Sequence, residues 1–169
     1  MSSYPLTCDV RRSESTADLL TVLHHRDPDF DPCLVDAWSD ELTTQETVTL
    51  PFLIALLDEP LVMRKPRAGH TAARRLTWHC SIRSRTGDSL NDDDWAEVAR
   101  AVVDAASIAP EGDSMACRWV ALRNQPRALD IVATVIRQDG RWARLHNDAL
   151  FARSACLDFA LSRGRVQPW

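Results

Sequence analysis

Two apolar runs separated by a short polar kink constrain this chain most. Trp119 to Arg123 and Leu129 to Ile136 are rich in β-branched and aromatic residues, and Asn124-Gln-Pro-Arg127 between them cannot continue a strand. The spacing predicts an antiparallel pair. After Ile136 the Asp139-Gly140 dipeptide is a hairpin signal, so Trp142 to Leu145 is expected to lie along the second run before Asn147 or Asp148 caps a final helix. The run 129–136 then has a partner on each side and sits at the centre of a sheet. Alternation puts Ala128, Asp130, Val132 and Thr134 on one face and Leu129, Ile131, Ala133 and Val135, the core set, on the other.

The rest of the chain supplies further strands and helices. Pro5 to Val10 reads as a strand, followed by a cap at Ser13 or Ser15 and a helix through Ala17, Leu19, Leu20 and Leu23. His24-His25-Arg26 ends that helix, basic residues suiting the C-terminal dipole. Asp27 to Pro32 is a turn-rich loop, and Cys33 to Trp38 is expected as a short helical turn. Pro51 opens a helix whose apolar stripe of Phe52, Leu53, Leu56 and Leu57 ends before Pro60. Residues 61–75 read as a mobile basic loop, and Leu76 to Arg83 alternates as a strand in which His79 is a packed or surface histidine. Asn91 to Asp94 caps a helix carrying Trp95, Val98, Ala99, Val102, Val103 and Ala106 on one face. The final helix, Asp148 to Arg163, is given the stripe Leu150, Ser154, Leu157 and Leu161, with residues 165–169 as a tail. Consecutive strands mixed with long helical connections predict an α+β fold: an antiparallel sheet of about five strands, helices mainly on one face, and one domain over residues 1–169.

Composition narrows the function classes. The 169 residues are 45% hydrophobic, enough for one sizeable core, yet the longest apolar run, Leu50 to Leu57, is far short of the roughly 20 residues that span a bilayer. With no basic start or apolar signal region after Met1, a cytoplasmic location is expected. Five cysteines, scattered and odd in number, read as small buried hydrophobes rather than a disulfide framework or a zinc knuckle. A formal charge of -4 is a poor start for DNA binding, which rests on neutralised phosphates. The cations are uneven, however: Arg64, Lys65, Arg67, Arg74 and Arg75, with Arg83 and Arg85 beyond, form a candidate nucleic-acid-binding set. His24 and His25, as neighbours, diverge on any regular element, and Asp27, Asp29 and Asp31 alternate like calcium-loop ligands but lack the glycine and closing glutamate, so no metal or cofactor is expected.

Several motifs follow one another in a recognisable order. Trp78-His-Cys-Ser-Ile-Arg83, Asp94-Trp-Ala-Glu-Val-Ala-Arg100, Gly112-Asp113, Ala116 to Arg123, Ile131-Val-Ala-Thr134 and Gln138-Asp-Gly-Arg141 to Asp148 cover most of the chain. Together they resemble the relaxase, or mobilization nuclease, domains of actinobacterial plasmids and integrative elements. That resemblance implies an antiparallel sheet with helices, a tyrosine nucleophile that nicks one DNA strand, and a histidine cluster holding a divalent metal. Here the positions matching the histidines are Asn124, Ala128 and Asp130, and Val22 or a neighbour stands where the tyrosine belongs. The sole tyrosine of the chain is Tyr4. The resemblance is therefore to a relaxase without its nicking chemistry, and further relaxase domains are expected to be absent.

Three readings follow. A non-catalytic, metal-independent module would bind DNA or a relaxosome-type partner, using the basic segment. Alternatively, the emptied cleft would serve a small molecule such as a specialised metabolite, with Asp130 as catalytic acid or base and His24, Arg123, Arg127 and Val132 around it. An ion pair of Asp130 with Arg123 or Arg127 is the plainer expectation for that carboxylate. A folded remnant with no selected task is the third reading.

Overall fold

The computed structural model describes residues 6–44, 48–64, 75–85 and 90–163. Its elements run β1 (Leu6–Ser13), α1 (Thr16–His24), β2 (Cys33–Ala37), α2 (Asp40–Thr44), α3 (Leu50–Met63), β3 (Thr77–Ser84), α4 (Asp92–Ala105), β4 (Cys117–Gln125), β5 (Ala128–Arg137) and α5 (Asp148–Ser162). The strands form one antiparallel sheet in the order β1-β3-β5-β4-β2. This is the α+β antiparallel sheet expected from the sequence, with β5 in the middle, but helices cover both faces, α4 and α5 on one and α1 and α3 on the other, and not mainly one.

Centrality explains the composition of β5. Every residue from Ala128 to Ile136 is buried, because both faces of the middle strand are covered. Leu129, Ile131, Ala133 and Val135 pack into the larger core beneath α4 and α5, with Trp78 and Trp95 as its bulkiest buried members. Leu129, Ile131 and Val135 each contribute roughly 1.5–3 kcal/mol by leaving water. Val132 faces the opposite way, into a smaller core with Leu20 and Leu23 of α1 and Leu53 and Leu57 of α3.

The helix starts follow their caps. Asn91 and Asp94 form a reciprocal capping box on α4, at 2.8 and 3.1 Å, and all six expected apolar residues of that helix are buried. Ser15 caps α1 by accepting the Asp18 N–H. Asn147 occupies the cap position of α5 in a left-handed conformation, φ 54°, but its side chain caps nothing.

Four local expectations are corrected. Cys33–Ala37 is a strand, the edge partner of β4, and not a helical turn; tertiary pairing across a bulge at Leu34/Asp36 supplies backbone partners that the local sequence does not advertise. The second partner of β5 is β3, paired from Arg83↔Ala128 to Thr77↔Thr134, so little of β5 is left for the segment after the 137–141 turn. That segment makes one isolated bridge, Ile136↔Trp142. The buried side of α5 is Ala152, Ala155, Cys156, Phe159 and Ala160, whereas Leu150 and Leu161 face out. Small residues let the helix approach the sheet closely, which a leucine stripe would prevent.

Finally, α3 continues through Pro60 to Met63, so residues 61–63 belong to a helix rather than to a basic loop. A proline removes the N–H that would bond the carbonyl four residues earlier. Here the Arg118 guanidinium donates to that carbonyl, Leu56 O, at 2.6 Å. An arginine from β4 thus completes the helix. Phe52, expected in the stripe, is half-exposed, and Pro60 is buried in the place the pattern gave to a helix end.

Between α1, α3 and β3 lies a small polar seam. Thr16 Oγ1 and Thr77 Oγ1 are hydrogen-bonded at 2.8 Å, and Asp58 also bonds Thr16. Burial pushes the Asp58 carboxyl above its usual range, and its Oδ1 is buried without a protein partner. A raised folded-state pKa favours the protonated form, so Asp58 weighs against folding once pH exceeds that value and ceases to do so below the unfolded value. Asp58→Asn is therefore expected to stabilise the fold at pH 7. The gain is expected to be under about 1 kcal/mol, because the group is only half-buried and solvent screens it. Urea denaturation at pH 7 and pH 4 checks this: the gain shrinks at the lower pH.

Candidate functional site

Asp130 is fully buried in the middle of the sheet, hydrogen-bonded through Oδ1 while Oδ2 has no hydrogen-bond partner among the described residues. His79, from β3, places Nε2 2.7 Å from Oδ1. Arg26, just past the end of α1, places a guanidinium nitrogen 3.5 Å from Oδ2, close enough for an ion pair but too long for a strong hydrogen bond. Strand register brings these groups together. Ser81 lies opposite Asp130 and His79 opposite Val132, so all four side chains emerge on the α1–α3 face. With Asp130 as a carboxylate, His79 Nε2 is the donor of that hydrogen bond.

The helices on this face pack against β5 and leave β1 and the outer part of β3 open. The result is an open cleft of about 610 Å³ whose floor is Thr7, Asp9, Arg11, His79, Ser81 and Arg83 and whose wall is Leu19 and Arg26. Arg12 borders it along β1, but alternation puts its side chain on the opposite face with Cys8, 3.8 Å from Asp148 of α5. The one solvent-facing carboxylate on the floor, Asp9, is paired with Arg11 at 2.7 Å. Arg83 reaches only the Gln125 side-chain oxygen, at 3.5 Å. A chain with a net charge of -4 thus gathers three arginines and a histidine around one cleft.

The residues singled out in the sequence divide between this face and elsewhere. Asn124, Ala128 and Asp130 do share the face. Asn124 is buried and donates to Leu23 O at 2.8 Å, fastening the end of α1 to β4, and Ala128 lies opposite Arg83. Val22 is 62% exposed and turned away from the sheet. Val132 is core, and His24, with Nδ1 buried, stacks edge-on against His25 at the helix end.

The two arginines expected beside Asp130 are not there. Arg123 projects to the α4 face, bonded to Asp92 at 2.8 Å and lying over Phe30, because odd-numbered residues of β4 point away from Asp130. Arg127 is exposed in the β4–β5 turn, lining a separate shallow pocket. Their places are taken by Arg26, whose number had suggested only a helix-dipole role, and by His79. Alternation along β3 put His79 on one of two faces, but the β3–β5 register was needed to bring it to Asp130.

Of the basic set, Arg64 ends α3, donating to Gly140 O at 3.0 Å and stacking on Trp142, while Arg75 precedes β3. Lys65, Arg67 and Arg74 lie outside the described residues. No group of three His, Cys, Asp or Glu side chains stands at metal-binding spacing among the described residues. Neither does any described helix have the length and apolarity to cross a membrane.

No family model, curated protein or solved structure matches this chain.

Proposed function

We propose that this chain is a relaxase-like module that holds a nucleic-acid strand by its phosphates on the open face of β1 and β3, without cutting it. One observation carries the reading: Arg11, Arg26 and Arg83 line a cleft in which Asp9 is the one solvent-facing acid among the described residues. Phosphate oxygens are the ligands that arginine forks match best, and nucleic-acid affinity comes mainly from such contacts. An open, polar, grooved strand surface suits an extended chain better than an enclosed small molecule. Nicking is left out of the proposal because Asn124, Ala128 and Asp130 occupy the positions matching the histidines, and Val22 that of the tyrosine.

Fluorescence anisotropy with a single-stranded oligonucleotide across a salt series tests it. The expected result is micromolar binding at low salt whose logarithm falls linearly with log salt, unchanged by magnesium or manganese. No binding at low salt overturns it.

The His79–Asp130 contact at 2.7 Å favours a second reading, an enzyme acting on a small molecule, since a carboxylate-oriented imidazole at a cleft is general-base machinery. Thermal-shift screening of metabolites separates the two: a hit whose shift disappears in His79→Gln supports the enzyme.

A further inference from the structure

Cys8, Cys80 and Cys156 lie far apart in the sequence, yet the fold brings them to one point. Cys8 is on the edge strand β1, Cys80 on β3, and Cys156 on the buried side of α5. Cys8 and Cys80 project from the same face of adjacent strands, since Cys8 pairs with Ile82 and Val10 with Cys80. The Cys8 and Cys80 sulfurs stand 3.3 Å apart, and Cys156 lies close enough to Cys8 to interact with it. All three are free thiols.

The three are not equivalent. Cys80 and Cys156 are buried, whereas Cys8 is only partly buried, and Arg153 donates to its carbonyl at 3.3 Å. Two neighbouring thiols and that nearby guanidinium draw the Cys8 thiol well below its usual range, while Cys80 and Cys156 are pushed up. A partly accessible sulfur 3.3 Å from a buried one is the arrangement of an attacking thiol beside its resolving partner.

We propose that these cysteines form a peroxide-reactive site in which Cys8 attacks and Cys80 resolves, giving a Cys8–Cys80 disulfide. The Cys8 sulfur takes one peroxide oxygen as the O–O bond breaks, forming a sulfenic acid and releasing hydroxide, or alkoxide from an alkyl peroxide, which picks up a proton. The Cys80 sulfur then displaces the sulfenic oxygen, which leaves as water with the thiol proton. Two thiols lose two electrons and the peroxide gains them. Cys156 is a positioning residue beside the Cys8 sulfur. The edge position of β1 allows the closing movement, because only one side of that strand is hydrogen-bonded within the sheet. The site lies on the α4–α5 face and is independent of the nucleic-acid proposal.

Brief exposure to a slight excess of hydrogen peroxide, then unfolding, alkylation and peptide mass spectrometry, tests the proposal. The expected product is a Cys8–Cys80 cross-linked peptide with Cys33 and Cys117 alkylated, formed at least about tenfold faster than Cys33 is consumed. Cys80→Ala should instead accumulate a Cys8 sulfenic acid that dimedone traps, and Cys8→Ser, at a partly buried position, should leave Cys80 and Cys156 reduced. Oxidation of Cys33 ahead of Cys8, a Cys8–Cys156 bond, or full alkylation of Cys8 after peroxide would each overturn it.

Discussion

Replacing both partners of Asp130 together, as R26M H79L, is expected to cost about 3–5 kcal/mol of folding stability at pH 7. The reason is the depth of the carboxylate. Asp130 is at 0% exposure under α1, and its nearest polar partners are His79 at 2.7 Å and Arg26 at 3.5 Å. Taking both away leaves a charge in a place where water does not reach it, and the attraction that offset its desolvation is gone. Adding Asp130→Asn to the double variant should return more than half of the loss, since an uncharged amide needs only hydrogen bonds there. Asp130→Asn alone should cost only about 1–2 kcal/mol, because Arg26 keeps 29% side-chain exposure and can turn to solvent. Urea denaturation of the four proteins measures this. A double variant within about 1 kcal/mol of the parent would mean that Asp130 is satisfied without Arg26 and His79, and both would leave the candidate site.

The sheet was legible in the sequence where strand signals were local, and illegible where pairing was not. The β4–β5 hairpin follows from alternation on both sides of Asn124-Gln-Pro-Arg127, and the α4 face from its period and its cap. Nothing local distinguishes Cys33–Ala37 from a turn, since five residues carry too short a pattern and β4 alone makes them a strand. Proline at position 60 rightly announces a broken hydrogen bond, but the arginine that repairs it lies on another strand. The site shows the same division. Asp130 was identifiable as a carboxylate on an otherwise apolar strand, because alternation fixes its face. Its partners were not, because Arg26, His79 and Asp130 come from three elements whose register is a tertiary property. The thiol cluster escaped for the same reason: spacing along the chain is uninformative when β1, β3 and α5 do the gathering.

The second large effect is expected from reversing charge on the cleft floor, where R11E R83E should weaken oligonucleotide binding at low salt by at least about a hundredfold. Both side chains line the cleft, and neither is a partner of Asp130, so the buried pairing stays intact. Arg11 is bound to the exposed Asp9, and Arg83 makes only a long contact to Gln125, so little folding stability rides on either. The affinity argument runs through counterions: each guanidinium that neutralises a phosphate adds about one to the steepness of the salt dependence. Removing two should flatten the slope of log affinity against log salt by about two, besides lowering affinity at every salt. The reversal also changes the whole chain's charge by four units, from -4 to -8, which by itself would repel a polyanion. A matched control separates the two effects. R141E R144E makes the same change at exposed positions that do not line the cleft. If both double variants lose affinity equally, with parallel slopes, binding is a matter of net charge and the β1–β3 face is not the interface. If the floor variant alone loses its slope, the phosphates lie along Arg11 and Arg83, and the strand runs beside the Asp130 pairing rather than through it.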